Sequence, residues 1–118
     1  AAGTLWVAED VDGQVVGFLA GRLDGGRLHI DEVDVLRPRQ GQGFGRALLA
    51  HAAAWARAHG LTALSLTTFR NVPWNAPFYA SFGFREWDPA DAPASIRQAL
   101  LYEAAEGLRD RCAMVMDL

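Results

Sequence analysis

Gln40-Gly41-Gln42-Gly43-Phe44-Gly45 lies between a strand-like run, Val33 to Val35, and a helix-like run over residues 46–59. Three glycines in five positions let a backbone turn tightly and approach a ligand with no Cβ in the way. Amides exposed where a helix begins point into the loop and add to the positive end of the helix dipole. Such a site suits a phosphate or pyrophosphate. The stretch therefore predicts a phosphorylated cofactor.

Upstream, residues 5–9 and 14–22 read as strands, with Asp10-Val11-Asp12-Gly13 as the turn between them. Asp24-Gly25-Gly26 is a second turn and residues 27–35 a third strand, which makes an antiparallel meander. In that strand Leu28 and Ile30 have one parity and Val33 and Val35 the other. An inserted residue near Asp31 and Glu32 reconciles them, the signature of a β-bulge; an irregular strand end is the alternative.

Downstream, Leu48, Leu49, Ala52, Trp55, Ala56 and His59 recur at helical spacing, and Gly60 is the stop. Residues 61–69 follow as a strand, so strand, helix and strand predict a parallel βαβ unit. A Pro-containing loop over residues 71–74 leads to a short helix over 75–82 and a strand over 83–87. A helix capped at Ser95 and ending at Gly107, then a strand over 111–118, complete the chain. The fold class is α/β (α+β), a mixed sheet in one domain over residues 1–118.

With 118 residues, 51% hydrophobic and 21% charged, the composition is that of a globular protein. The net charge of −3 argues against a nucleic-acid partner, whose affinity rests on clustered cations. All eleven basic residues are arginines. Arg37, Arg39, Arg46 and Arg70 fall near the anion loop; phosphate steering is the reading for Arg39 and Arg46, with ordinary surface arginines as the alternative. The single cysteine, Cys112, reads as a buried spectator thiol. No metal is expected. No stretch suggests a membrane span or a signal peptide, so the expected location is the cytoplasm. The chain starts Ala1-Ala2-Gly3 without Met, as a processed, trimmed or cloning-altered terminus would.

A dinucleotide fingerprint wants a third glycine where Arg46 stands, after the first strand of a parallel sheet. A nucleoside-triphosphate loop wants Lys followed by Ser or Thr, which are absent. The loop instead resembles the Q/R-x-x-G-x-G/A acetyl-CoA signature of the GCN5-related N-acetyltransferase (GNAT) family. It follows Glu32-Val33-Asp34-Val35, which is similar to that family's preceding strand. Asn75-Ala76-Pro77-Phe78-Tyr79-Ala80-Ser81-Phe82-Gly83-Phe84 resembles its second signature. The resemblance runs from Leu5 to Leu118.

It implies acetyl-CoA as cosubstrate. The pantetheine arm would pair with the backbone of Val33, Asp34 and Val35. The pyrophosphate would lie on the loop Gln40, Gly41, Gln42, Gly43, Phe44, Gly45 and Arg46, and an amide near Val33 would face the thioester carbonyl. Either Asn71 or Asn75 would reach the pantetheine; Asn75 capping its own helix is the alternative.

Transfer to an alkyl amine, with a pKa of about 10.4 when free, needs a base for the ammonium proton, and the thiolate benefits from an acid. The resemblance points to Tyr79 as the acid, with a core Tyr as the alternative, and to Glu32 as the base. Asp34, of the same parity, could share that role, and a solvated or salt-bridged carboxylate is the alternative for both. His29 is a weaker candidate, more often structural. Trp74 is a pocket or core residue.

Relatives usually carry a strand and two helices before the first hairpin. Their absence here leaves a sheet edge that invites a second chain, so a homodimer is expected. The function these features imply is transfer of an acetyl group to the primary amine of a small molecule or peptide by direct attack. A non-catalytic acyl-CoA-binding or interaction module is the second reading, and a hydroxyl acceptor the third.

Overall fold

The computed structural model describes residues 3–118; Ala1 and Ala2, and with them the question of the missing Met, lie outside the described residues. Among the described residues six strands and three α-helices follow one another as β1 Gly3–Glu9, β2 Val15–Asp24, β3 Arg27–Val35, α1 Phe44–Ala58, β4 Ala63–Phe69, α2 Ala76–Phe82, β5 Arg85–Trp87, α3 Ala94–Ala105 and β6 Arg111–Asp117. A 3-10 turn, Arg37–Arg39, joins β3 to the glycine loop. The class is the expected mixed α/β one, with antiparallel strands and a parallel pair. The chain forms two compact units, one of residues up to Leu64 with Asp117 and Leu118, the other Ser65–Met116.

In the first unit β1, β2 and β3 form the antiparallel meander. The bulge is present. Ala20 faces Glu32 and the next residue, Gly21, faces Ile30, so Asp31 is the extra residue. Through it Leu28, Ile30 and Val33 oppose Leu23, Gly21 and Leu19 on one side of the ribbon. Glu32 and Asp34 oppose Ala20 and Phe18 on the other. Helix α1 covers the apolar side. Leu48, Leu49, Ala52, Ala53 and Ala56 are its buried residues, and Trp6 of β1 meets His51 and Trp55 edge-on. Leu19, Leu28 and Leu49 are fully buried, each worth about 1.5–3 kcal/mol of transfer free energy.

Helix α1 begins two residues before the expected Arg46, so Phe44 and Gly45 form its first turn. Of the residues assigned to its apolar face, Trp55 is half-buried and His59 exposed, stacked on Trp55 at 4.1 Å. Leu61 does not open β4; its amide donates to Ala56 O at 2.9 Å and closes the helix.

In the second unit the strand order is β4-β6-β5, with β5 and β6 antiparallel. Ala92, Ile96 and Ala113 form a small core, with Trp87 and Leu100 packed on it. Two expectations are corrected. Ser95 is not the cap of α3: the flanking residue is Pro93, and Ser95 sits inside the first turn. Proline's fixed φ and missing N–H place it at that border. At the other end the Gly107 and Leu108 amides close on Ala104 and Glu103 carbonyls, a Schellman termination. Strand β5 begins at Arg85 rather than Gly83, because the Gly83 and Phe84 amides donate to Tyr79 O and end α2. Cys112 is buried and free, and burial pushes its thiol up.

Candidate functional site

The loop after β3 is shaped by side chains at its flanks. The Gln40 amide group donates from Nε2 to Val35 O at 3.0 Å, folding the loop back on the strand. Arg39 Nε donates to Gln42 Oε1 at 3.1 Å, and the guanidinium lies 5.2 Å from the centre of the Phe44 ring. Arg39 Nη1 donates to Asp10 Oδ2 at 2.8 Å.

The loop amides themselves are uncommitted. The first helical amide to reach a carbonyl is that of Ala47, which donates to Gly43 O at 2.9 Å. Among the described residues, the amides of Gly41, Gln42, Gly43, Phe44 and Gly45 have no intramolecular acceptor. Gly43, the residue before the helix, has φ +91°, which a side chain rarely adopts, and a Cβ there would meet nothing within 4 Å. A row of free N–H groups beside open space, at the positive end of a 15-residue helix, fits an anion such as a pyrophosphate.

The expected arginine roles divide. Arg39 is engaged with Asp10 and Gln42, and so braces the loop instead of standing free beside it. Arg70 is paired with Glu86 in the second unit, and that hydrogen bond raises its pKa. Arg37 and Arg46 are exposed.

On β3, Val33 and Val35 are half-buried, while Glu32 and Asp34 are exposed. Neither carboxylate has an ion-pair or hydrogen-bond partner among the described residues. The neighbouring Asp31 pairs with Arg22 at 3.4 Å. Leu5 and Val7 oppose Ala20 and Phe18, so these four share the face of Glu32 and Asp34. His29 is buried, and desolvation lowers its pKa, which keeps the imidazole neutral.

In the second unit Tyr79 is 9% exposed, with its ring edge-on to Phe78 and Phe84. Its hydroxyl makes no hydrogen bond among the described residues, and burial raises its pKa. Asn75 does not cap α2 with its side chain. Its Oδ1 instead accepts from Thr68 Oγ1 at 3.1 Å, which leaves Nδ2 to donate elsewhere. Asn71 is exposed in the preceding turn, and Trp74, 73% exposed, is not a core residue.

The structure thus brings together Glu32, the end of β3 and the loop in the first unit, and Asn75 and Tyr79 in the second. One residue escaped the sequence: Asp10 reads there only as a turn former. Its partner is 29 positions away, and no local pattern announces the pairing.

No helix among the described residues is long and apolar enough to cross a membrane. Residues 1–84 match the Acetyltransferase (GNAT) family. The mouse (Mus musculus) N-alpha-acetyltransferase 80 is 37% identical over 73 residues; these are 62% of this chain and 22% of that protein. Among solved structures, N-acetylglutamate synthase from Neisseria gonorrhoeae, complexed with coenzyme A and N-acetyl-glutamate, superposes with a TM-score of 0.77 at 22% identity. The match covers 97% of this chain and 25% of that one. A Bacillus anthracis structure in complex with acetyl coenzyme A gives 0.76 at 19% identity, over 100% and 64% of the two chains. These likenesses show the fold, and the family match covers well over half of the sequence. The chain belongs to the GNAT acetyltransferase family.

Proposed function

We propose that the chain is an acetyl-CoA-dependent N-acetyltransferase that acts on the primary amine of a small molecule or peptide. The observation that carries this reading is the row of uncommitted amides from Gly41 to Gly45 at the start of α1, in a chain of this family. The loop, with Gln40 and Arg46, would hold the pyrophosphate. Val33, Asp34 and Val35 would offer backbone to the pantetheine, and Asn71 or the free Nδ2 of Asn75 would donate to it. Relatives solved with coenzyme A or acetyl coenzyme A support the choice of cosubstrate.

In this reading Glu32 takes the ammonium proton, directly or through water, and Asp34 is its alternate. Two exposed carboxylates on one strand, neither with a partner among the described residues, suit a cationic acceptor. Tyr79 supplies a proton to the departing thiolate. Its raised pKa keeps the hydroxyl protonated at neutral pH, and among the described residues the hydroxyl has no competing acceptor. A single domain, a cytoplasmic location and a homodimer paired through the β1 edge belong to the same proposal.

Calorimetric titration with acetyl-CoA, against NADH as control, tests the cofactor; a thiol-release assay over a panel of amines and alcohols then tests transfer. Saturable binding of acetyl-CoA alone, with turnover on amines, is expected. Binding without turnover on any acceptor would make the chain a binding module, and no binding would refute the loop assignment.

A further inference from the structure

We infer that Asp10, in the turn between β1 and β2, is a positioning residue for the cofactor loop, holding it in its binding shape through Arg39. This inference rests on the proposed reading of the loop as the pyrophosphate site.

The loop has a structural problem that follows from its purpose. Amides kept free for a ligand cannot hydrogen-bond internally, so they cannot fix the loop's own conformation. Other groups have to do so, or the ordering cost falls on binding. Two side chains anchor the loop on either side of Gly41. Gln40 reaches back to Val35 O, and Gln42 accepts from Arg39 Nε. The second anchor is only as firm as Arg39 itself.

Arg39 is held by Asp10. The side chain of Asp10 is 8% exposed, that of Arg39 32%. The two carboxylate oxygens divide the work. Oδ1 accepts the amides of Asp12 and Gln14 at 2.9 and 3.0 Å and builds the turn. Oδ2 accepts Arg39 Nη1 at 2.8 Å. The hydrogen bond from Arg39 is also the main cause of the lowered pKa of Asp10, with the Gln14 amide next. The guanidinium thus spends one nitrogen on Asp10, another on Gln42, and its face on Phe44, the first residue of α1. Planar, multi-pronged contact of this kind needs arginine; a lysine ammonium would satisfy one leg at most.

The division of labour within Asp10 makes the test selective. Asp10→Asn keeps an oxygen for the turn amides and turns an NH2 group toward Arg39, donor against donor. Arg39→Lys keeps the charge and loses the fork. Acetyl-CoA affinity is measured by calorimetry on the parent, D10N, R39K and the D10N/R39K pair. Glycine amide NMR signals of the free proteins are recorded in parallel.

The expected result is an acetyl-CoA affinity at least about tenfold weaker in each single variant, with the double variant no worse than the weaker single. The Gly41, Gly43 and Gly45 signals move in D10N, while that of Gly107 stays. Parent-like affinity in D10N overturns the inference and leaves the cofactor assignment standing. So does a double-variant loss equal to the product of the single losses, which would mean that the two residues act independently. Should D10N fail to fold, R39K decides alone: parent-like affinity shows that Arg39 acts as a charge and not as a brace. A parent chain that does not bind acetyl-CoA refutes the loop assignment, and the inference with it.

Discussion

Gly17→Ala tests how closely the path of β3 is tied to the site. Gly17 pairs with Val35, and a Cβ there would stand 2.7 Å from Asp34 O and 3.2 Å from Val35 Cγ2. The first contact is with backbone and is shorter than real Cβ atoms show, so the end of β3 must withdraw by a few tenths of an ångström. Overpacking of this kind costs about 1–3 kcal/mol. The loss of glycine's freedom in the unfolded chain returns about 0.4–1 kcal/mol. The net expectation is a destabilisation of about 1–2 kcal/mol, which at this length lowers the melting temperature by roughly 4–8 °C. Displacing Val35 also moves the carbonyl that anchors Gln40, so acetyl-CoA affinity falls by about tenfold. Melting followed by circular dichroism and calorimetric titration measure the two effects. Gly3→Ala is the control, because its Cβ would lie an ordinary 3.5 Å from Gly21 O. If Gly17→Ala melts with that control and binds acetyl-CoA as the parent does, the close approach of β2 to β3 does not shape the loop.

Tyr79→Phe is expected to lower kcat about 100-fold while acetyl-CoA affinity holds, measured by thiol release and calorimetry; unchanged kcat would make Tyr79 a packing residue. Glu32→Gln is expected to reduce kcat/KM by a similar factor, about 100-fold, while acetyl-CoA affinity holds; that outcome in Asp34→Asn alone would assign the base to Asp34. His29 predicts an acid-sensitive fold. Its folded pKa lies below the unfolded value because burial opposes its charge, so its full contribution is present above about pH 6.5 and is lost as pH falls toward the folded value. The slope from this one proton is at most about 1.4 kcal/mol per pH unit, read by denaturant titration between pH 7 and 5. A His29→Gln variant with the same slope would contradict this account.

Local and periodic features were legible in the sequence because their causes are local. The limits of β3 follow from strand alternation, and Gly107 marks the close of α3, whose last helical residue, Ala105, lies two positions earlier. Even the bulge could be read, since the parity change between Ile30 and Val33 requires an unpaired residue, and Asp31 is that residue. The Gln40 to Gly45 pattern led to the family because free amides at a helix start need glycines at defined spacing. Boundaries were misread where neighbouring carbonyls compete for an amide. Leu61 and Gly83 look like the first residues of strands, but each closes the preceding helix. Ser95 lost the cap position to Pro93, whose fixed φ outweighed a hydroxyl's preference.

The sequence by itself determined the mixed class and the family, both of which rest on spacing between near neighbours. Only the tertiary structure decided which side chains hold that loop in place. Asp10 and Arg39 are strong charges in an arginine-rich chain, and nothing in their immediate surroundings distinguishes them from any other turn aspartate or surface arginine. Their meeting at 2.8 Å depends on the β1–β2 turn lying beside the end of β3. That placement is set by the register of two hairpins and a bulge, and no single segment encodes it.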